Sequence, residues 1–192
     1  MSETRDKRRR TDLDLFVLAL IAEGISTPYN LQKSAGLSQG ATIPALRRLI
    51  QEGLVEQAEP GPRGRADHRI TREGRQILKT GWRELLDGGP SGDLDADLRV
   101  ALLSLWAGGE RRLAADFLRQ SAAARVAAAK LIEEEDASNS PAPLASWYIR
   151  LRSSAAKVVL KGESTAALAM AEALPRRLLG NPKSTGPMIK RE

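Results

Sequence analysis

The chain contains no cysteine and one histidine, His68. Without thiols, disulfide bridges, thiolate metal centres and cysteine nucleophiles are excluded. A single imidazole cannot build a histidine-rich metal site either. Aromatic residues make up only 4% of the chain, so a core must rest on Leu, Ile, Val and Ala. Runs of Ala and Leu favour helix. Long hydrophobic runs are also missing. The longest, Leu15 to Ala22, is far short of the ~20 residues that span a bilayer. The charged N-terminus has no apolar signal core. The expectation is a soluble, cytoplasmic protein. No carboxylate pair or phosphate-binding motif is evident, and "GPRGR" lacks the Walker spacing. No catalytic residue, metal or cofactor is therefore expected, and the chain reads as a non-enzyme.

What the chain has is basic charge and helical pattern. Its 192 residues carry a formal net charge of +6 and a pI near 10.0, which suits an anionic partner. The charge is shared evenly. There are 15 basic and 12 acidic residues up to Asp87, and the same numbers beyond it. Clustering must therefore carry the argument. The first ten residues, "MSETRDKRRR", read as a flexible basic arm in which Arg8, Arg9 and Arg10 could meet phosphates.

Residues 11–87 read as one unit. Thr11 is an N-cap, followed by Asp12 and Asp14 in a first turn that favours acids. The helix after it is apolar nearly all round and should be central, ending at Gly24. "STPYNLQKSAG" gives a short helix capped by Ser26 or Thr27, with Pro28 in its first turn and Leu31 inward. "SQGATIPALRRLIQEGLVEQ" then gives a helix starting near Gln39, with Pro44 assigned to its first turn. Helix, short helix, tight turn and helix have the spacing of a helix-turn-helix. Two strands follow around "PGPRG", with an inward Ile70, and Thr71 caps a further helix that carries Ile77, Leu78, Trp82, Leu85 and Leu86. Three helices and a hairpin define a winged helix.

Residues 88–93, "GGPSGD", read as a linker. Residues 94–179 read as a helical dimerisation domain, and 180–192 as a flexible tail. Leu98 and Leu102 lie on one stripe. Leu113, Phe117, Ser121, Ala124, Ala128 and Leu131 form a heptad-like seam. A third seam includes Trp147 and Leu151, and a separate helix is expected from about Glu163, ended or kinked by Pro175. These stripes look too thin for a core of their own, which implies a homodimer using Leu98, Leu102, Leu113, Phe117, Ala124, Leu131, Trp147 and Leu151. Trp106, Trp147 and Tyr148 are candidates for a small-molecule effector pocket, with core packing as the plainer reading. "EEED", 133–136, reads as a solvated run.

Three stretches together resemble the PadR family of winged-helix transcriptional regulators: "LFVLALIAEGISTPYNL", "GATIPALRRLIQEGLVEQ" and "GRADHRITREGRQIL". The likeness covers about Asp12 to Leu86. Pro28 stands where the family usually has glycine. Ile43 and His68 stand where it often has tyrosine. The resemblance implies a mainly α fold with a small β-hairpin, a winged helix-turn-helix domain followed by a helical dimerisation domain, and a DNA-binding regulator, with repression as the expected outcome.

On that reading the recognition helix offers Ser38, Gln39 and Thr42 at its positive end, with Arg48 outward and Arg47 at the border of the core. Ile43, Leu46, Leu49 and Ile50 are assigned to the core side. Ala41, Pro44 and Ala45 are assigned outward. The wing offers Arg63, Arg65 and Arg69, with His68 as a half-exposed strand residue near phosphate. The expected partners are double-stranded DNA with an imperfect inverted repeat, a second copy of the chain, and a candidate effector. A winged helix that binds protein in place of DNA is the alternative.

Overall fold

The computed structural model describes residues 10–58, 67–135, 143–176 and 178. The chain is mainly helical, with one small antiparallel hairpin. It divides into two compact units that meet in sequence between Asp87 and Gly88. The arm residues Arg8 and Arg9, the wing-tip residues Arg63 and Arg65, Asp136 and the tail lie outside the described residues.

The first unit is built on α1 (Asp12–Ala22). Thr11 and Asp14 close a reciprocal capping box. The Asp14 amide donates to Thr11 Oγ1 at 3.1 Å, and the Thr11 amide donates to Asp14 Oδ2 at 3.2 Å. Leu15, Val17, Leu18, Ala19 and Ile21 are all buried. The all-round apolar pattern does make α1 the central helix. It packs on α3 (Gln39–Gln51), α4 (Arg72–Asp87) and the hairpin strand His68–Ile70. Helix α2 (Pro28–Ala35) starts at Thr27, whose hydroxyl accepts from the Asn30 amide, and buries Leu31.

Strands β1 (Val55–Gln57) and β2 (His68–Ile70) pair with Val55 opposite Ile70 and Gln57 opposite His68. The His68 amide donates to the Ser26 carbonyl at 2.9 Å, and Ser26 Oγ donates to Asp67. The segment before α2 thus lines the other edge of β2. The start of α4 presses closely on the turn before β1. Thr71 Oγ1 donates to the Gly53 carbonyl at 2.8 Å and accepts from the Gly74 amide at 3.0 Å. A Cβ at Gly74 would fall 2.3 Å from the Leu54 carbonyl oxygen, so only glycine fits.

The second unit contains α5 (Leu94–Leu103), a π-helical turn (Ser104–Gly108), α6 (Arg111–Glu135) and α7 (Pro143–Ala173). Helix α7 runs unbroken through Gly162, where the sequence pattern implies the start of a separate helix. A glycine lowers helix stability without ending the helix, and α7 instead stops before Leu174 and Pro175. Helices α6 and α7 are antiparallel: Arg125 meets Glu163, and Arg111 Nε donates to the Leu174 carbonyl at 3.0 Å. That guanidinium satisfies a carbonyl left open at the end of α7. Small residues line the seam, with Ala114, Ala115, Ala122 and Ala129 of α6 and Ser164, Ala167 and Ala171 of α7 buried.

This unit buries a core of its own, including Val100, Leu103, Leu105, Trp106, Phe117 and Leu118. The expectation that its stripes are too thin for that is corrected. The N-terminal half of α7 is different: Leu144, Trp147, Tyr148, Ile149, Leu151, Val158 and Val159 are all exposed. No helix among the described residues is long and apolar enough to cross a membrane.

Candidate nucleic-acid interface

Helix α3 follows α2 across a short turn. Ser38 caps it, its hydroxyl oxygen accepting from the Ala41 amide at 3.3 Å. The helix begins at Gln39, as its sequence implies. Pro44 is therefore its sixth residue and sits in the second turn, not the first. It has no N–H for the Gly40 carbonyl, so the helical bond from position 44 is missing at this point.

The face that α3 turns outward differs from the expected one by roughly 60° of rotation about its axis. Thr42, Ala45, Leu46 and Leu49 are buried. Gln39, Gly40, Ile43, Pro44, Arg47 and Gln51 are exposed. Two contacts explain the rotation. The Thr42 hydroxyl donates to the Ser38 carbonyl at 2.8 Å, so this polar side chain is satisfied inside its own helix and fully buried. Arg48 is drawn sideways onto α1, where its Nε and Nη2 donate to Asp14 Oδ1 at 3.2 and 2.6 Å. Thr42 therefore cannot present a hydroxyl to a ligand, and Arg48 is a strut between helices. The two neighbouring arginines exchange roles: Arg47 stands on the exposed face with no ion-pair partner among the described residues.

Gln39 keeps its expected exposure and gains a neighbour. Its Nε2 donates to Gln32 Oε1 at 3.1 Å. Gln32 lies on α2 with the exposed Tyr29 and Lys33, all absent from the expected site. Stepping round α2 from the inward Leu31 would have placed the three outward.

In the hairpin, Arg69 is exposed as expected, but His68 is buried. His68 Nδ1 lies 2.8 Å from the Ser26 carbonyl oxygen, the same atom that its amide bonds. His68 thus ties β2 to the segment before α2 and offers nothing outward. Arg10 sits beside α3, its Nε 3.0 Å from Glu52 Oε2.

In the helical unit, Phe117 is buried within the protomer and cannot serve a dimer contact, because the first turns of α6 turn it inward. Leu98 and Leu102 are half-buried, while Leu113, Ala124, Leu131, Trp147 and Leu151 are exposed. The three candidates for an effector pocket do not share one environment. Trp106 is buried in the π turn, whereas Trp147 and Tyr148 are exposed on α7.

Sequence patterning misses the buried charge pair of this unit, Arg125 and Asp97. Arg125 sits on the inner face of α6. Its Nη1 donates to Asp97 Oδ2 at 2.9 Å and Ser121 Oγ at 2.5 Å, and its Nε donates to Glu163 Oε2 at 2.9 Å. Ser121 Oγ donates in turn to Asp97 Oδ2 at 2.6 Å. Burial alone would push the Asp97 carboxyl up, but Ser121, the Ser91 amide and Arg125 together hold it below its ordinary value. Burial likewise opposes the charge on Arg125, and Asp97 and Glu163 outweigh it, raising the guanidinium pKa. The Nη2 atom is buried with no hydrogen-bond acceptor among the described residues. Among the same residues no cluster of His, Cys, Asp or Glu is arranged to hold a metal.

No family model matches the chain, and no curated protein matches it.

Proposed function

We propose that this chain is a dimeric, sequence-specific DNA-binding transcriptional regulator of the PadR type, acting as a repressor. The observation that carries the reading is the outward face of α3. A helix that follows a capped short helix across a tight turn presents a glycine, an amide and a guanidinium, with no intramolecular ion pair on Arg47 among the described residues. That combination fits major-groove recognition: a small residue admits the backbone, an amide suits adenine, and a guanidinium suits guanine. The hairpin beside it, with Ser26 on its second edge, has the connectivity of a wing, and the exposed Arg69 adds positive charge.

Dimerisation is assigned to the exposed apolar residues of α7, with Leu113 and Leu131 of α6 contributing. Any effector pocket would draw on the same aromatics, Trp147 and Tyr148. Two recognition helices related by a two-fold axis would enter successive major grooves roughly 34 Å apart. The operator would then be an imperfect inverted repeat.

Selection of bound duplexes from a random pool by the full-length chain, followed by mobility shifts across a salt series, tests the proposal. The expected result is one enriched inverted repeat whose affinity falls steeply with salt. Equal affinity for all duplexes, or no binding at low salt, would overturn it.

A further inference from the structure

Among the described residues of the first unit, only two large hydrophobic side chains are exposed, Tyr29 and Ile43. Ile43 is the unexpected one. At 36% exposure Ile43 is largely covered by the fold but keeps an apolar edge in the open, where an outward helix position ordinarily carries Ala, Glu, Lys, Gln or Arg. Ile43 nevertheless stands on the outward stripe of α3, one turn after Gln39 and one turn before Arg47. Its apolar surface is too small and too closely flanked by polar groups to anchor a protein interface, which needs a cluster of apolar anchors.

The stripe reads differently against a major groove. The only apolar group that a base edge displays there is the C5-methyl of thymine, and apolar side chains contact it. The stiff χ1 of isoleucine suits a fixed contact of this kind. Gly40, on the same face, has open space where a Cβ would project, so the helix can approach closely enough for Ile43 to touch a base edge.

We propose that Ile43 is a specificity-determining residue that reads a thymine methyl in each half-site, between the bases met by Gln39 and Arg47. Four residues of helix advance about 6 Å, or roughly two base-pair steps, which sets the spacing of the three contacts. The assignment rests on the DNA-binding reading above.

The test uses the full-length protein and its selected operator. Each thymine of the half-site is replaced in turn by deoxyuridine, which removes only the methyl group. The expected result is one position per half-site where the replacement weakens binding about fourfold, and about fifteenfold when both half-sites carry it. The variant Ile43→Ala, whose folding is checked by thermal melting, should bind the thymine and deoxyuridine operators within about twofold of each other. Wild-type protein that tolerates deoxyuridine everywhere would overturn the proposal. So would an Ile43→Ala variant that keeps the full deoxyuridine penalty, with DNA binding itself left standing. Failure to retain any duplex at low salt would overturn the DNA-binding reading and this assignment with it.

Discussion

Asp14 receives both the Nε and the Nη2 of Arg48 on a single carboxylate oxygen, while its other oxygen closes the capping box at the start of α1. One buried side chain thus fixes where α1 begins and how α3 lies upon it. The pair also decides which of two adjacent arginines is left for a partner. Arg48 is committed to the fold and Arg47 is not.

The two arginines should therefore fail in different ways. Arg48→Ala removes charge-assisted bonds from a carboxylate that remains buried, a loss of about 1.5–3 kcal/mol. Its thermal midpoint should drop, and binding to every duplex should weaken as α3 loosens. Arg47→Ala, at an exposed position, should leave the stability within about 0.5 kcal/mol of wild type. Its effect should appear in mobility shifts, as a narrower gap between operator and random DNA. A stability loss in Arg47→Ala with unchanged discrimination would reverse the assignment.

Local chemistry is legible in the sequence, and long-range pairing is not. Thr11 announces one helix start, and Ser26 or Thr27 another, because a cap is satisfied within three residues. The apolar circumference of α1 announces its central place for the same reason. The rotation of α3 cannot be read, because it depends on Asp14, 34 residues away, and on a threonine that satisfies its own hydroxyl. A heptad count places Ser121 correctly inside but says nothing about Arg125, whose partners lie 28 and 38 residues distant. The continuity of α7 at Gly162 is hidden too, because packing against α6 outweighs the weak helix propensity of glycine.

Gly40 poses a choice between stability and approach. Its position in α3 is open, with no atom within 4 Å of where an added methyl group would lie, so alanine fits without strain. Helix propensity favours alanine by up to ~1 kcal/mol. Gly40→Ala should thus melt at the same temperature or higher, yet bind operator DNA less tightly because the helix can no longer sit as close to the bases. Differential scanning calorimetry and mobility shifts on the same preparation check both halves. Unchanged or tighter binding would remove Gly40 from the contact face.

The exposed apolar half of α7 should hold two copies together. Wild type should sediment as a dimer, and a double variant, Trp147→Asp and Leu151→Asp, should sediment as a monomer. Both side chains are exposed in the protomer, so the helical circular dichroism should persist. Affinity for a full operator should fall toward that for an isolated half-site, because the second contact loses its high effective concentration. A variant that remains dimeric would move the interface elsewhere.

The Asp97–Arg125–Glu163 cluster should set the acid sensitivity of the helical unit. The folded-state pKa of Asp97 lies below its ordinary 3.8. Its contribution to stability is therefore fully present above that value and is lost as pH falls through the lower, folded value. Arg125 is shifted upward from an already high value and stays charged throughout this range, so it adds no slope of its own. Urea unfolding followed from about pH 7 to below about pH 3 should show wild type losing stability at the acid end. Asp97→Asn should start lower at neutral pH and show a shallower loss. Arg125→Met leaves the buried Asp97 carboxylate and Glu163 without their shared cation, and should cost about 3–5 kcal/mol at neutral pH. Combining it with Asp97→Asn removes one of those carboxylates and should recover part of that loss, the non-additivity expected of groups in one network. Strict additivity, or an acid profile unaltered by Asp97→Asn, would mean that the cluster does not govern this unit.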